Sequence, residues 1–233
     1  MTALPGQRLA AVVTLPAADY AAASLQPQGG RSPLARVVHD CLEAVADPAA
    51  VGVAVAEHLA DDVRALLARE ESGAVDLVVI GGPATRAQCL AAALEHVVAE
   101  PVSASLVLVY DVRQPLTPPR LQDRVVERLT QGASVVLPVL AVTDSVKVVD
   151  EHGVVTASLD RSILQTVQYP RGFAAEHLRR LVVGSVGEFD ETVEAIRSTL
   201  PIVTVDGDAE AVTVELPHDG PLLEAVIASR GAR

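Results

Sequence analysis

Asp76-Leu77-Val78-Val79-Ile80 runs straight into Gly81-Gly82, and an Ala- and Leu-rich stretch follows from Arg86 to Val98. An apolar run of this length, rich in β-branched residues, reads as a strand buried on both faces. The paired glycines mark a tight loop, and the stretch after it reads as a helix packed back on the strand. The same unit recurs in both directions. Leu9 to Leu15 and Val51 to Ala56 are strand-like, with helical spacing over Leu34 to Val45 and Leu59 to Leu67. Leu106-Val107-Leu108-Val109-Tyr110 is a further strand, ending in Asp111. Thr117-Pro118-Pro119 then offers an N-cap residue with proline in the first turn, a helix start, and Ala133 to Val142 is strand-like again. This alternation predicts an α/β class, a doubly wound and mostly parallel sheet, in a single domain over 1–233. Sheets of this kind bind ligands at the carboxyl ends of their strands. Three places are singled out: the loop after Leu15, the loop after Ile80, and Asp111.

The alternation breaks after residue 142. Ser145 to Val149 and Val154 to Ser158 both favour strand and flank Asp150-Glu151-His152-Gly153, which is turn chemistry. This predicts a β-hairpin arm at about 145–161 projecting from the domain. A lone hairpin is marginal in water, so it must pack on something; a second subunit is the favoured partner and its own domain the alternative. Helices are expected at Ala174 to Val183 and Asp190 to Thr199, strands at Ile202 to Val205 and Ala211 to Leu216, and a last helix from Leu222 to Ser229.

Composition excludes several classes of function. Half of the 233 residues are apolar but only five are aromatic, so the core is aliphatic. A net charge of −12 disfavours a nucleic-acid partner. A small phosphorylated ligand remains open wherever cations gather locally. Lys147 is the sole lysine, and the other 17 cations are arginine. Cys41 and Cys89 sit in helical apolar patterns and read as buried free thiols, with neither disulfide nor metal spacing. Arg8, the run from Leu9 to Leu15 and Ala21-Ala22-Ala23 would suit a signal peptide. The run is short, however, and Pro16 and Asp19 interrupt it, so a first strand is the better reading. No run is long enough to span a bilayer, and the expected location is cytoplasmic.

Several strings occur in an order that resembles the 2-C-methyl-D-erythritol 4-phosphate cytidylyltransferase family. They are Pro16-Ala17-Ala18 after the first strand, Gly81-Gly82 with Arg86, and Tyr110-Asp111 before Leu116-Thr117-Pro118-Pro119. Further on come Thr143-Asp144-Ser145-Val146-Lys147, Arg161, and Val167-Gln168-Tyr169-Pro170-Arg171-Gly172-Phe173; Val205-Asp206-Gly207-Asp208 and Pro217-His218-Asp219 close the series. No single string is decisive, but their joint order is specific. The resemblance implies a Rossmann-like nucleotidyltransferase fold. It also implies transfer of a cytidylyl group from CTP to 2-C-methyl-D-erythritol 4-phosphate, with release of pyrophosphate, in isoprenoid precursor synthesis. By the same resemblance, Pro16, Ala17, Ala18, Gly81, Gly82, Arg86 and Cys89 fall on the nucleotide side, and Arg113, Lys147 and Arg171 on the substrate side. Asp111 is implied as the metal-side aspartate for Mg²⁺, and Asp111 and Arg161 as the catalytic residues. The arm is implied to clasp a second subunit in a homodimer and to carry Arg161 to the partner's site.

The chain also departs from the family pattern where charge matters most. Attack on the α-phosphorus of CTP joins two anions, so catalysis is mainly positioning and cationic stabilisation. The family supplies these from a glycine-rich loop with Arg and then Pro-Lys after the first strand, and from a second Lys near the C-terminus. Here the loop is Asp19-Tyr20-Ala21-Ala22-Ala23-Ser24-Leu25-Gln26, shorter and without Gly, Arg or Lys. Asp19 places negative charge near the triphosphate, and alanine side chains block the backbone approach that glycine permits. The second lysine position is Thr213, the substrate-side arginine becomes Gln114 beside Arg113, and Tyr169 and Arg171 replace a Thr and a Gln. Cys89 stands for a Ser or Thr. Asp111, Gly81-Gly82, Arg86, Asp144, Lys147, Arg161 and Asp190-Glu191 survive, although each also has an ordinary structural explanation, such as helix-start acids at Asp190-Glu191. A relative with weak or no activity is the favoured reading. An active cytidylyltransferase and a transferase of altered specificity are the alternatives.

Overall fold

The computed structural model describes residues 7–70, 72, 75–99, 101–183 and 189–231. Its centre is an eight-stranded sheet built on β1 (Leu9–Leu15), β2 (Val51–Ala56), β3 (Asp76–Ile80), β4 (Leu106–Tyr110) and β5 (Val135–Ala141). Three short or late strands complete it: β8 (Gln165–Val167), β9 (Arg171–Ala174) and β10 (Ile202–Asp206). The order is β10-β5-β9-β4-β1-β2-β3, with β8 beside β5. β1 pairs in parallel with both β2 and β4, β2 with β3, and β5 with β10. β9 runs antiparallel between β4 and β5. The sheet is therefore mostly parallel, as the alternation of apolar runs predicts.

Helices α1 (Asp19–Ala23), α2 (Pro33–Ala44), α3 (Ala60–Arg69), α4 (Arg86–Val98) and α5 (Pro119–Thr130) alternate with the first five strands. α6 (Ala175–Val183), α7 (Glu191–Arg197) and α8 (Gly220–Gly231) follow. Their starts obey local rules. Ser32 caps α2 ahead of Pro33, and Thr85 and Gln88 form a reciprocal capping box at the start of α4. That box fixes where Arg86 leaves the helix. The core is aliphatic, with β1, β2 and β4 almost wholly buried. A smaller cluster of Leu116, Val214, Leu216 and Leu223 docks α8 and includes Tyr20 and Ala23 at its edge. Among the described residues, no helix is long and apolar enough to cross a membrane.

Three expectations fail. The segment after β1 is the five-residue helix α1, where the sequence predicts a loop. Alanine's helix propensity and the short span favour it. Ala211 to Leu216 is not a strand. Val214 gives its N–H to the Arg113 carbonyl at 2.7 Å and buries its side chain in the small cluster, so tertiary packing overrides the strand-like alternation. The stretch from Gln165 to Ala174 forms two strands that its sequence did not announce. In β9, Gly172 lies where a Cβ would come within 2.7 Å of Val125 and 2.8 Å of Leu129 on α5, so glycine lets that helix cover the strand.

The arm forms as expected. β6 (Lys147–Val149) pairs with β7 (Val155–Ser158) as a separate two-stranded sheet. Asp150 Oδ1 accepts the His152 and Val154 N–H groups across the turn, and Gly153 takes a φ of +78°.

At the other edge, Gly207 follows β10 and donates to the Val139 carbonyl at 2.7 Å. A Cβ there would fall 2.8 Å from that oxygen and 2.5 Å from Gln168 Oε1. Gln168 in turn ties down Asp208 and Ala211. Gly207→Ala is therefore expected to cost about 2–3 kcal/mol in urea unfolding, the upper range for forced overpacking. A change below about 0.5 kcal/mol, the size of a surface effect, would show that the segment yields.

Candidate active site

The carboxyl ends of β1 and β4 and the start of α4 converge on one buried charge network. Asp111 follows β4 and is only 2% exposed. Its Oδ1 accepts from the Arg113 backbone N–H at 2.9 Å and from Arg113 Nε at 3.0 Å, and its Oδ2 from Arg113 Nη2 at 2.8 Å and Arg86 Nη1 at 3.1 Å. Arg86 also donates to Glu191 Oε1 from Nε at 3.0 Å and Nη2 at 2.8 Å, to the Tyr169 hydroxyl at 3.1 Å and to Thr14 Oγ1 at 3.4 Å. Arg171 Nη1 reaches Asp190 at 2.8 Å and Glu191 Oε2 at 2.7 Å. The Tyr169 ring lies under both cations, 4.2 Å from the Arg171 guanidinium and 5.8 Å from that of Arg86.

Three guanidiniums thus meet three carboxylates. Burial works against the charge of Asp111, but the Arg113 hydrogen bonds and the charges of Arg86 and Arg113 reverse this and hold its carboxyl below the usual range. Asp190 is held low in the same way, with Arg171 outweighing burial. Burial raises the Tyr169 phenol, so it stays neutral and accepts from Arg86.

Beside the network opens a cavity of about 690 Å³. Pro16, Ala17, Ala18 and Tyr20 line it from the β1 end, Pro83, Thr85, Arg86 and Ala87 from the β3–α4 side, and Arg113, Phe189, Asp190, Val193 and Arg197 from the remainder. The Ala17 N–H already donates to the Ala84 carbonyl at 3.0 Å, and the Ala18 N–H to the Pro16 carbonyl at 2.8 Å. Tyr20 of α1 lays its ring 4.9 Å from the Arg113 guanidinium. Arg197 is paired with Glu194 at 2.7 Å.

Of the residues that the sequence singled out, Asp111, Arg86, Arg113 and Arg171 come together, with Pro16, Ala17 and Ala18 at the cavity wall. Gly81 and Gly82 form the exposed turn after β3, Gly82 with a φ of +70° that glycine suits, and they do not line the cavity. Cys89 is fully buried behind that turn, its thiol pushed up to about 11 by burial and directed at the Ala84 carbonyl. Lys147 and Arg161 lie on the exposed arm, Lys147 bonded to Ser158 Oγ at 2.6 Å and Arg161 to the Thr143 carbonyl. Glu191 is the central residue whose weight the sequence understated: it is wholly buried and bridges two arginines. Tyr169, noted only as a departure, is the ring on which they stack.

Asp111 does not fit a divalent ion in this arrangement. Both of its oxygens face guanidinium groups, and among the described residues no group of three or more His, Cys, Asp or Glu could hold a metal. Mg²⁺ asks for oxygen ligands in an octahedron, with free carboxylate or phosphate oxygens.

The chain has known relatives. The profile of the 2-C-methyl-D-erythritol 4-phosphate cytidylyltransferase family matches residues 27–229. The Nocardia farcinica protein of that name is 37% identical over 206 residues, 88% of this chain and 86% of its own length. That of Rhodococcus jostii is 37% identical over 85% of this chain and 84% of its own length. The crystal structure of the Thermus thermophilus enzyme is 27% identical with a TM-score of 0.70, covering 93% of this chain and 98% of its own. With Asp111, Arg86, Arg113 and Arg171 meeting at the strand ends of such a sheet, and with sequence identity of this extent, the chain belongs to the 2-C-methyl-D-erythritol 4-phosphate cytidylyltransferase family.

Proposed function

We propose that this member of the family carries the site of a transferase joining CTP to 2-C-methyl-D-erythritol 4-phosphate, but binds CTP weakly and turns it over slowly or not at all. One observation supports this most: the cations at the site are neutralised from within. Arg86, Arg113 and Arg171 are matched by Asp111, Asp190 and Glu191, and α1 brings no glycine, lysine or arginine; Asp19, expected from the sequence to face the triphosphate, is exposed and outside the cavity lining. A triphosphate entering here meets no surplus positive charge, and the Ala17 and Ala18 N–H groups are already engaged. Any Mg²⁺ would be held chiefly by the nucleotide's own phosphates. Calorimetric titration with CTP, with and without Mg²⁺, tests the reading. A dissociation constant weaker than about 1 mM is expected, equivalent to less than about 4 kcal/mol of binding. Micromolar affinity would favour the second reading, an active cytidylyltransferase, for which the 37% identity to relatives of that name argues.

The same proposal makes the protein a homodimer through the arm, with Arg161 delivered to the site of a second subunit. The arm and the short helical turn that follows it expose apolar side chains that a monomer would leave in water, among them Val155 at 59% and Ile163 at 79%. Light scattering should give a dimer at micromolar concentration, and Val155→Asp with Ile163→Asp should give a folded monomer. A dimer unaffected by both changes would place the interface elsewhere. The two free, buried thiols suit a cytoplasmic location.

A further inference from the structure

A second cavity, of about 360 Å³, shares no lining residue with the first. Arg31, Arg36, His39 and Asp40 face it from α2 and the turn before it, Arg120 from the start of α5 and Arg230 from α8. Its arginines are not all paired, as those of the first site are. Arg31 is paired with Glu70 at 2.7 Å, and Arg120 with Asp208 at 2.6 Å and Glu210 at 3.3 Å. Among the described residues, Arg36 and Arg230 have only neutral acceptors. Arg36 Nη2 donates to the Gln28 and Gly29 carbonyls at 3.1 and 3.0 Å, and Arg230 to the Leu116 and Glu210 carbonyls. The Arg36 Nε–H is buried with no acceptor among those residues.

Asp40 makes no ion pair with Arg31 or Arg36. Burial pushes its carboxyl up to about 7, against the pull of Arg31 and Arg36 and with a contribution from Glu43. Near neutral pH it is only partly charged. Arg36 and Arg230 therefore border the cavity without an ion-pair partner among the described residues, with two more arginines beside them.

We propose that this cavity binds a small phosphorylated anion, held between Arg36 on α2 and Arg230 on α8. Guanidinium forks match phosphate oxygens in geometry as well as charge, and an anion here supplies the ion-pair partner that Arg36 and Arg230 lack. Occupancy would also tie α8 to α2, since Arg230 belongs to the last helix. That helix is docked by the cluster containing Leu116, which lines this cavity, and Tyr20, which lines the first.

Calorimetric titration of the intact protein at pH 8 and low ionic strength, with inorganic phosphate, pyrophosphate and glycerol 3-phosphate in turn, tests this. Saturable binding is expected, weakened at least about tenfold by Arg230→Gln and by Arg36→Gln. Asp40→Asn is expected to tighten it about threefold, because it removes a carboxylate that is mostly charged at that pH. Arg113→Gln, in the first cavity, should leave it unchanged. Should Arg36→Gln unsettle the turn that its carbonyl contacts hold, Arg230→Gln and Asp40→Asn still decide the matter in opposite directions. Tighter binding of glycerol 3-phosphate than of phosphate would assign a phosphate ester as the ligand, and the reverse order free phosphate. No saturation by any probe up to about 10 mM would overturn the proposal. So would binding lost in Arg113→Gln but kept in Arg230→Gln, which would place the anion in the first cavity.

Discussion

Replacing Glu191 with alanine lowers the unfolding free energy by about 3–5 kcal/mol, the range for breaking a buried ion pair by removing one partner. Glu191 has no exposed surface, and its two oxygens serve different arginines. Without it, Arg86 keeps Asp111 and Arg171 keeps Asp190, but each guanidinium is left with more charge than its surroundings accept. Arg171 starts badly placed, because its Nε–H is already buried without an acceptor among the described residues. Glu191→Gln restores the shape but turns an amide N–H toward a guanidinium, and should recover only part of the loss. Glu176→Ala is the control. Its bond to Arg180 joins two exposed side chains on one helix face, worth about 0.5 kcal/mol or less. Urea titration distinguishes the cases, and a Glu191→Ala loss no larger than the control would mean that both arginines find new acceptors.

The contrast between Glu191 and Asp111 shows what the sequence could announce. Asp111 ends a strand of five apolar residues, at the place where parallel sheets gather ligands, so its position alone marks it. Glu191 opens a short helix, where acidic residues are ordinary for dipole reasons, and nothing local says that it is buried. The strands β1 to β4 were legible to the residue because each is a continuous apolar run. β5 begins two residues later and ends one residue earlier than its apolar run predicts. β8 and β9 were not legible. They have three and four residues, include Gln165 and Arg171, and exist because longer neighbours offer free edges. The failed strand at Ala211 to Leu216 is the converse case: Val212, Val214 and Leu216 alternate as in a strand, yet an irregular backbone buries Val214 and Leu216 against α8. α1 marks the same limit, since the absence of glycine from Asp19 to Gln26 says what the segment cannot do but not that it coils into a helix.

Pyrophosphate release from CTP and 2-C-methyl-D-erythritol 4-phosphate is expected at least about a thousandfold below the roughly one to ten per second of ordinary enzymes. Removing a single preorganised charge-stabilising donor from such a site costs about a hundred- to a thousandfold. Here the segment Asp19 to Gln26 after β1 contains no glycine, lysine or arginine, and Lys147 is the chain's sole lysine. The arginines that remain cannot substitute without first leaving Asp111 and Glu191, to which they are held by charge-assisted bonds. Asp19→Gly alone should therefore leave the rate unchanged, because Asp19 is exposed and outside the cavity lining, and removing it adds neither donor nor cation. Replacing Asp19 to Gln26 as a block, with a longer segment carrying glycines, an arginine and a lysine, should raise turnover by more than the sum of its single changes, since such groups act as a unit. A coupled pyrophosphate assay measures both. Wild-type turnover near one per second would show that Arg86, Arg113 and Arg171 do release their carboxylates when CTP arrives. A full gain from Asp19→Gly alone would show that repulsion by one side chain, and not the missing cradle, is what holds this site back.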